Sequence, residues 1–404
     1  MISYSCLNYK NGVMIVSGEF EKQYAVSNMS VRRINRVRVL KLLFHSGSLT
    51  QMEIKNQLGL SGPTVTQALQ FFTDLGLLRE GDEMPSSGGR KPRLIEFCYD
   101  AFYSVGVEIR HHHVDIQVIN LRGNVVVGKV YRLIFENTVD YWKNVNALIG
   151  KTVKLASIPR PLLGVGIAFP GEISVSRNMI SRATVLACRN IPLNIARENV
   201  DNLLRVEYGA SAAGFGAVWR EPSLQNAVYI VVTNSGVAGS VIIDNHIYRG
   251  ESNKPGAFGH VVLDPNGLPC FCGGRGCWSS YCSLRNLTQS EEPNLADFFE
   301  AVHAGSQEHI QRWNAYLDRF AQALANISLS FDTGIIIGGK LAPWLEPYLD
   351  ELKRRVAAFP VLAEENLNIR IDAASENPMA EGGALTLVSA FLDDMLEGRH
   401  FDDL

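Results

Sequence analysis

Three cysteines and a histidine lie within 18 residues of this 404-residue chain: His260, Cys270, Cys272 and Cys277. Three thiolates and an imidazole match the four ligands of a tetrahedral structural zinc ion, so the spacing predicts a Zn²⁺ loop. Glycines at 273, 274 and 276 let the backbone wrap an ion. Because four protein ligands leave no position for water, we expect no metal catalysis. Two alternatives stay open: Cys282 replaces His260, or the cysteines are reduced thiols in a surface loop.

Length and composition predict a folded protein of two or three domains. The chain is 46% hydrophobic and 20% charged, which excludes a mostly disordered or fibrous protein. No apolar run approaches the roughly 18–20 residues of a membrane span, and the N-terminus shows no secretory signal. Clustered cysteines suit a reducing compartment. We therefore expect a cytoplasmic protein with no membrane partner.

The charge is unevenly distributed along the chain. Residues 29–93 contain ten Lys and Arg against five Asp and Glu, a balance of +5, and since the total is −3 the remainder carries −8. A small basic unit on an acidic body predicts a polyanion-binding domain attached to something else.

The basic segment has the pattern of a helix-turn-helix. A helical period begins at Ile34 and stops at Gly47, and Thr50 with Glu53 forms a capping box for a short second helix. Ser61 is the N-cap of a third helix, which presents Val65, Leu69 and Phe72 inward and ends at Gly76. Helix, capped helix, tight turn and capped helix predict a helix-turn-helix.

The third helix and the segment after it carry the candidate DNA-binding residues. Short polar side chains on the helix suit base edges in a major groove, and a glycine-rich basic hairpin suits phosphates or a narrow minor groove. The alternative is a three-helix protein-interaction module with a charged loop. The basic hairpin is the predicted wing of this domain. The candidates are Ser61, Thr64, Thr66, Gln67 and Gln70 on the helix and Arg90, Lys91 and Arg93 on the wing.

After Phe97 the pattern becomes α/β. The first set of elements consists of three short strands, a helix and a buried strand that ends at Phe169-Pro170-Gly171. A second set of strands and helices starts near Ala227. Two such halves predict a duplicated body with a cleft between two lobes. The predicted divisions are an N-terminal segment at 1–28, a winged helix-turn-helix at 29–97, a first lobe at 98–225 and a second lobe at 226–404, whose C-terminal helix could return to the first. Two alternatives stay open for residues 1–28: a disordered extension, or a start codon assigned too far upstream.

These motifs together resemble the ROK family of repressors and sugar kinases, in particular its repressor branch, from about Met29 onward. Gly259-His260 with the segment Cys270–Cys277 resembles the family's zinc motif, and Gly89-Arg90-Lys91-Pro92 resembles the repressor wing. The resemblance implies an actin-like, ribonuclease H-like, two-lobed sugar-kinase fold behind the DNA-binding domain. It also implies a homodimer or homotetramer that responds to a sugar or sugar phosphate.

The departures from the kinase pattern argue against phosphoryl transfer. The phosphate loop after the first strand becomes Glu108–His112, whose bulky side chains fill the space that a phosphate needs. Glu207-Tyr208 stands where kinases place the catalytic base, and a tyrosine is a poor base at neutral pH. Sugar-contacting carboxylates become Ala257 and Ser279, and an Asn becomes Thr184. The candidate ligand-binding residues are Thr184, Glu207, Tyr208, Ala257, His260 and Ser279.

Three hypotheses remain, and the first is a non-enzymatic DNA-binding regulator, most simply a repressor, of carbohydrate-metabolism genes. The second is a sugar kinase with an accessory DNA-binding domain, and the third is a degenerate regulator that binds DNA but no ligand. The run His111–His113 is interpreted as strand residues on the surface or in the cleft. Contact of Arg110 or His111 with an anionic ligand is a further hypothesis.

Overall fold

A computed structural model describes residues 9–10, 13–14, 28–83, 92–158, 162–174, 177–251, 256–363 and 367–397. The chain divides into two compact units, Met1–Phe97 and Cys98–Leu404. The proposed extension at 1–28 lies largely outside the described residues. Within it, two paired strands are described, β1 (Tyr9–Lys10) and β2 (Val13–Met14).

The first unit is a winged helix-turn-helix. Three helices lie beside a small antiparallel sheet whose strand order is β3-β5-β4. The elements are α1 (Asn28–Ser46), β3 (Ser48–Thr50), α2 (Gln51–Leu58), α3 (Gly62–Asp74), β4 (Leu78–Glu83) and β5 (Arg93–Phe97).

Both predicted helix caps of this unit are confirmed. The Glu53 backbone N–H donates to the Thr50 hydroxyl (3.3 Å), and the Thr50 N–H donates back to the Glu53 carboxylate (2.7 Å). The Thr64 N–H donates to the Ser61 hydroxyl at 3.4 Å. Such caps satisfy N–H groups at helix starts that have no partner within the helix, and each stabilises by about 1 kcal/mol.

The apolar side of α3 is confirmed, whereas that of α1 needs a correction. Val65 and Phe72 are fully buried, but Ile34 is 54% exposed. The helical period correctly predicted α1, but a period alone does not show where along a helix packing occurs. The contact of α1 with α3 includes Arg36, whose guanidinium carbon lies 3.9 Å from the Phe71 ring centroid.

The second unit contains two five-stranded sheets of the same plan, which confirms the duplicated α/β body. In each sheet three consecutive strands are antiparallel, and two later strands add in parallel beside the first of them. The sheet orders are β13-β9-β6-β7-β8 in the first lobe and β18-β17-β14-β15-β16 in the second.

The first lobe also carries a small three-stranded antiparallel sheet, in the order β10-β11-β12. The elements of this lobe are β6 (Tyr103–Ile109), β7 (His113–Asn120), β8 (Val125–Arg132), α4 (Val139–Ala156), β9 (Leu162–Phe169), β10 (Glu172–Ser174), β11 (Met179–Ala183), β12 (Cys188–Pro192), α5 (Leu193–Asn199), β13 (Leu203–Tyr208) and α6 (Gly209–Arg220).

The second lobe places most of its helices after the third strand of its sheet. Its elements are β14 (Ala227–Val232), β15 (Val237–Ile243), β16 (His246–Tyr248), α7 (Ser279–Cys282), α8 (Leu284–Thr288), α9 (Leu295–His303), α10 (Gln307–Phe331), β17 (Gly334–Gly338), α11 (Ala342–Leu345), α12 (Leu349–Ala357) and β18 (Ile369–Asp372). The chain then returns to the first lobe as α13 (Pro378–Glu397). Within the described residues, no helix combines the length and hydropathy needed to cross a membrane.

The last helix, α13, packs against strands β6 and β9 of the first lobe and against α6. Glycines permit this close approach: a Cβ at Gly106 would lie 1.8 Å from the Ala380 carbonyl oxygen, and one at Gly382 would lie 1.8 Å from that of Ala212. The C-terminal helix therefore forms part of the core that supports the first sheet.

Candidate ligand cavity, metal cluster and nucleic-acid interface

A cavity of about 450 Å³ lies between the two lobes of the second unit. Two hairpin turns at equivalent places in the two sheets line it. The first turn, Arg110–His113, joins β6 to β7 and is closed by the Arg110 N–H, which donates to the His113 carbonyl (2.9 Å). The second turn, Thr233–Gly236, joins β14 to β15 and is closed in the same way (2.7 Å).

The first turn corrects the interpretation of residues 111–113 as strand residues. Only His113 belongs to β7, because the turn places His111 and His112 outside the strand. All three histidines are lining residues of the cavity. The Nδ1 atom of His111 lies 3.0 Å from Nε2 of His112.

Behind the first turn lies a network of buried charges. Arg110 pairs with Asp115, whose second oxygen accepts from the Asn377 side chain at 2.8 Å. The neighbouring Glu108 is buried, and burial raises its pKa to about 7, against the opposing effect of Arg110. Among the described residues, the buried Nε atom of Arg110 has no hydrogen-bond partner.

The second turn is small and internally bonded. The Thr233 hydroxyl donates to the Gly236 carbonyl (3.0 Å) and accepts from its N–H (3.2 Å). The turn also holds helix α8, because the Arg285 N–H donates to the Asn234 carbonyl at 3.1 Å. The Arg285 side chain lines the cavity and pairs with Glu291 at 3.0 Å.

The structure brings four of the six candidate ligand-binding residues to the cavity wall: Thr184, Tyr208, Ala257 and His260. Glu207 is not among the lining residues. Both its carboxylate oxygens accept from Arg249 (2.8 and 2.7 Å). Ser279 also lies off the wall: it is buried, and its hydroxyl accepts from the Val237 N–H at 3.0 Å.

Tyr208 has the wrong acidity for a general base. Burial, together with the charge of Glu172, raises the pKa of Tyr208 to about 12. Its phenol therefore stays protonated at neutral pH.

Sequence reasoning missed several residues of the wall, including Glu172, Arg182, Arg285 and Phe271. Glu172 and Arg182 are direct partners across β10 and β11. The Phe169-Pro170-Gly171 motif marked this place, but the register of the small sheet was needed to add Arg182. No local pattern distinguishes Arg285, which reaches the cavity only because α8 rests on the second turn.

The candidate metal cluster consists of His260, Cys270, Cys272 and Cys277. One donor atom from each lies within 4.8 Å of all the others. The Cys272–Cys277 sulfur separation is 3.7 Å and the distance from Cys270 Sγ to His260 Nδ1 is 3.8 Å. Tetrahedral Zn–S bonds of about 2.3 Å place ligand atoms roughly 3.8 Å apart, so the donor set fits such an ion.

The loop around this cluster explains how four separated residues converge. A Cβ at Gly276 would lie 1.5 Å from the Asp264 carbonyl oxygen, and its φ is +69°, so glycine is required there. The alternative ligand Cys282 is not part of the cluster: its buried sulfur lies 3.7 Å from the Tyr316 carbonyl. His260 also lines the cavity, with its ring against Phe271 (centroids 5.2 Å apart).

The candidate nucleic-acid interface on α3 presents polar side chains at the surface. Thr66, Gln67 and Gln70 are exposed, and Thr64 is half-buried with its hydroxyl 2.8 Å from that of Ser61. Thr66 accepts from Gln51 (2.7 Å), and Gln70 donates to Asp74 (2.8 Å). Among the described residues, Gln67 has no such partner.

The wing is described only in part. Arg93 pairs with Glu80 (2.7 Å) and Glu83 (3.3 Å) on the neighbouring strand, so its charge is locally matched. Arg90 and Lys91 lie outside the described residues, and their proposed phosphate contacts remain predictions.

Comparisons with known proteins agree with this architecture. The sequence profile of the ROK family matches residues 104–390. The xylose repressor of Bacillus subtilis is 27% identical over 320 residues, covering 76% of this chain and 82% of the repressor.

Two solved structures have the same fold. A ROK family transcriptional regulator, a homologue of the Escherichia coli MLC protein, superposes with a TM-score of 0.69 at 17% identity over 91% of this chain and 99% of its own. A ROK family glucokinase from Streptomyces griseus gives 0.59 at 21% identity, covering 70% of this chain and 98% of its own. The first match extends over most of the chain, and the second covers a smaller share of it.

Proposed function

Because the chain belongs to the ROK family, we propose that it is a DNA-binding transcriptional regulator, most simply a repressor, of carbohydrate-metabolism genes. The observation that carries the proposal is the capped helix-turn-helix, whose third helix exposes a row of short polar side chains. The name of the B. subtilis relative supports the same function. Homodimers would place two such helices in successive major grooves, about 34–36 Å apart on an operator.

Gln67 is the residue with which to test operator recognition. It is exposed and makes no hydrogen bond among the described residues, so Gln67→Ala removes a base contact without disturbing the fold. We expect genome-wide footprinting of the full chain to identify operators, and Gln67→Ala to lose about 1–3 kcal/mol of binding at fixed salt. Gln311→Ala, an exposed glutamine on α10, is the matched control. Absence of DNA binding at low ionic strength would refute the proposal.

Sugar phosphorylation is the alternative, and the geometry of the cavity disfavours it. The first turn carries Arg110 and imidazoles where a phosphate cradle needs glycine backbone. Glu207 is held by Arg249, and Tyr208 remains protonated. We expect a coupled ATP-turnover assay over hexoses, hexosamines and pentoses to show no sugar-dependent rate. Turnover well above background would restore the kinase hypothesis.

We further propose that the His/Cys₃ cluster holds a structural zinc ion. Zinc suits a soft thiolate-rich tetrahedral set, and four protein ligands would fix the loop that brings His260 and Phe271 to the cavity. Elemental analysis should find one zinc per chain, lost in Cys272→Ser and kept in Cys188→Ser. Zinc-free wild-type protein of unchanged thermal midpoint would contradict a structural ion.

The cavity is the proposed effector site, and a sugar or sugar phosphate is the proposed class of ligand. An effector that binds one arrangement of the lobes more tightly than another changes operator affinity by that difference. The ligand-independent regulator is the remaining alternative. It predicts operator binding that no carbohydrate alters.

A further inference from the structure

The first helix, α1, carries positive charge without any negative charge. Its sequence contains five Lys and Arg and no Asp or Glu. Arg32 and Arg33 are exposed, and among the described residues they make no ion pair. The five cationic residues are Arg32, Arg33, Arg36, Arg38 and Lys41. The domain therefore presents a positive surface on α1 that its own side chains leave unneutralised at Arg32 and Arg33.

The carboxylates of the same unit serve other elements. The three that pair with arginines lie on β4 and β5, where their partners are Arg79 and Arg93. Glu53 caps α2, and Asp74 accepts from the Gln70 amide at 2.8 Å. None of the carboxylates pairs with Arg32 or Arg33. The carboxylates described in this unit are Glu53, Asp74, Glu80, Asp82, Glu83 and Glu96.

The arginines of α1 are also spaced so that they repel one another. Arg36 follows Arg33 by three residues and Arg32 by four, and side chains at these spacings are neighbours on a helix surface, where like charges destabilise it. Burial, together with the charge of Arg32, lowers the pKa of Arg36. The stability of the helix gains nothing from this spacing. An external anion close to the three guanidinium groups would relieve the repulsion.

This side of α1 lies beside the exposed polar row of α3, which consists of Thr66, Gln67 and Gln70. The guanidinium carbon of Arg36 lies 3.9 Å from the ring centroid of Phe71, which follows Gln67 by one helical turn. At the other border of the row, the Gln51 amide of α2 donates to Thr66 at 2.7 Å. Thr66 and Phe71 are about 140° apart around the helix axis. The polar row is therefore flanked by α2 on one side and by α1 on the other.

The dimensions of DNA indicate what a flanking helix would contact. A helix with its side chains is about 10–12 Å across, and the major groove is about 12 Å wide. A helix in the groove therefore has the phosphates of one strand along each of its flanks. Because α1 flanks the polar row of α3, its basic side would face one of these strands.

We propose that α1 is a second DNA-contacting element, whose Arg32 and Arg33 bind backbone phosphates beside the groove that α3 enters. This inference rests on the proposed function for the identity of the partner as duplex DNA. A guanidinium group suits a phosphate because it can donate two parallel hydrogen bonds to it. Since phosphate contacts carry no sequence information, α1 contributes affinity and orientation, whereas α3 contributes selectivity.

The test measures binding of the full chain to an operator and to a duplex of random sequence over a range of salt concentrations. The slope of log affinity against log salt should become shallower by about 0.9 in Arg32→Ala and by about 1.8 when Arg33→Ala is added. Extrapolated from about 1 M salt, a slope change of 0.9 weakens binding about eightfold at about 0.1 M. The loss should be equal for both duplexes. If the slope of the double variant is unchanged, the proposal is wrong.

Lys41→Ala is the matched control for Arg32→Ala. It removes one exposed charge from the same helix, at a position about 180° around the axis from Arg32. We expect the wild-type slope. If Lys41→Ala lowers the slope as much as Arg32→Ala does, the effect comes from net charge alone, and the assignment to this side of α1 is overturned.

Arg32→Glu separates DNA binding from folding. The variant replaces a repulsion with an attraction to Arg36, so the thermal midpoint should be kept or raised. Binding to both duplexes should nevertheless weaken by more than in Arg32→Ala, because the new carboxylate repels phosphates. If binding weakens only together with a lower thermal midpoint, Arg32 has a structural role and the proposal fails.

Failure of this inference can be distinguished from failure of the proposed function. Wild-type protein that binds neither duplex at low ionic strength refutes the regulator itself. Wild-type binding with an unaltered slope in the arginine variants refutes only the role of α1. Gln67→Ala provides the contrast, since it should reduce the preference for the operator over the random duplex and leave the slope unchanged.

Discussion

The first and second turns occupy equivalent positions in two sheets of the same plan, yet their chemistry differs. The first turn consists of an arginine and three histidines, whereas Thr233–Gly236 is small and uncharged. The strand residues next to the two turns differ as well. Glu108 and Asp115 pair across β6 and β7 where the second lobe pairs Val231 with Ala238.

This contrast shows that topology and chemistry diverge independently in a duplicated fold. Two buried carboxylates and an arginine are an expensive replacement for an apolar pair, because charges lose their hydration on burial. We interpret the network as a support that orients Arg110 toward the cavity. The second turn instead holds α8 through its backbone, and its side chains contribute little charge.

The largest loss of stability is expected from a substitution that removes the charged support of the first turn. Asp115→Ala leaves the Arg110 guanidinium without its closest anion, and loss of one partner of a buried pair costs roughly 3–5 kcal/mol. Urea unfolding of the full chain measures this loss. Asp115→Asn retains an acceptor and should lose less. If both variants unfold at the wild-type denaturant concentration, the network contributes no support.

The next largest effect is expected in the pH dependence of stability, to which the same network contributes. The folded pKa of Glu108, about 7, lies above its ordinary value of 4.5, so the folded state binds this proton more tightly than the unfolded state. The free energy of unfolding should therefore fall as pH rises from about 4.5 to 7, on the order of 3 kcal/mol from this group. Glu108→Gln should remove that slope in urea titrations. An unchanged slope would assign the pH dependence to other groups.

A smaller effect is expected from filling space at the second turn. A Cβ at Gly236 would lie 2.5 Å from the Ser279 hydroxyl, so Gly236→Ala requires local displacement and costs about 1–3 kcal/mol. The double variant Gly236→Ala with Ser279→Gly removes the clash and should recover part of the loss in thermal unfolding. Equal instability of the single and double variants would show that the contact is not the cause.

The smallest expected effect removes the hydroxyl that closes the second turn. Thr233→Ala loses the two bonds to Gly236, and we expect a loss of about 1 kcal/mol because the turn keeps its backbone bond. Thr233→Ser should retain the wild-type midpoint. A loss as large as that of Asp115→Ala would mean that the second turn, too, depends on a polar support.

Local signals in the sequence predicted the elements of the fold but not all of the site. Thr50 and Ser61 cap helices as expected, since a cap depends on residues three apart. The metal-ligand donors from His260 to Cys277 could likewise be predicted from a local pattern, because all four lie in one loop. Arg285 and the Glu207–Arg249 pair depend on register between distant segments, which no local pattern contains.

The place of α13 has a consequence for the order in which this protein can fold. Pro378–Glu397 packs on β6 and β9, two strands that lie far earlier in the chain. The sheet of the first lobe therefore cannot bury that face until α13 has been synthesised. A deletion of α13 would for this reason damage the lobe that is translated first as well as remove a late segment.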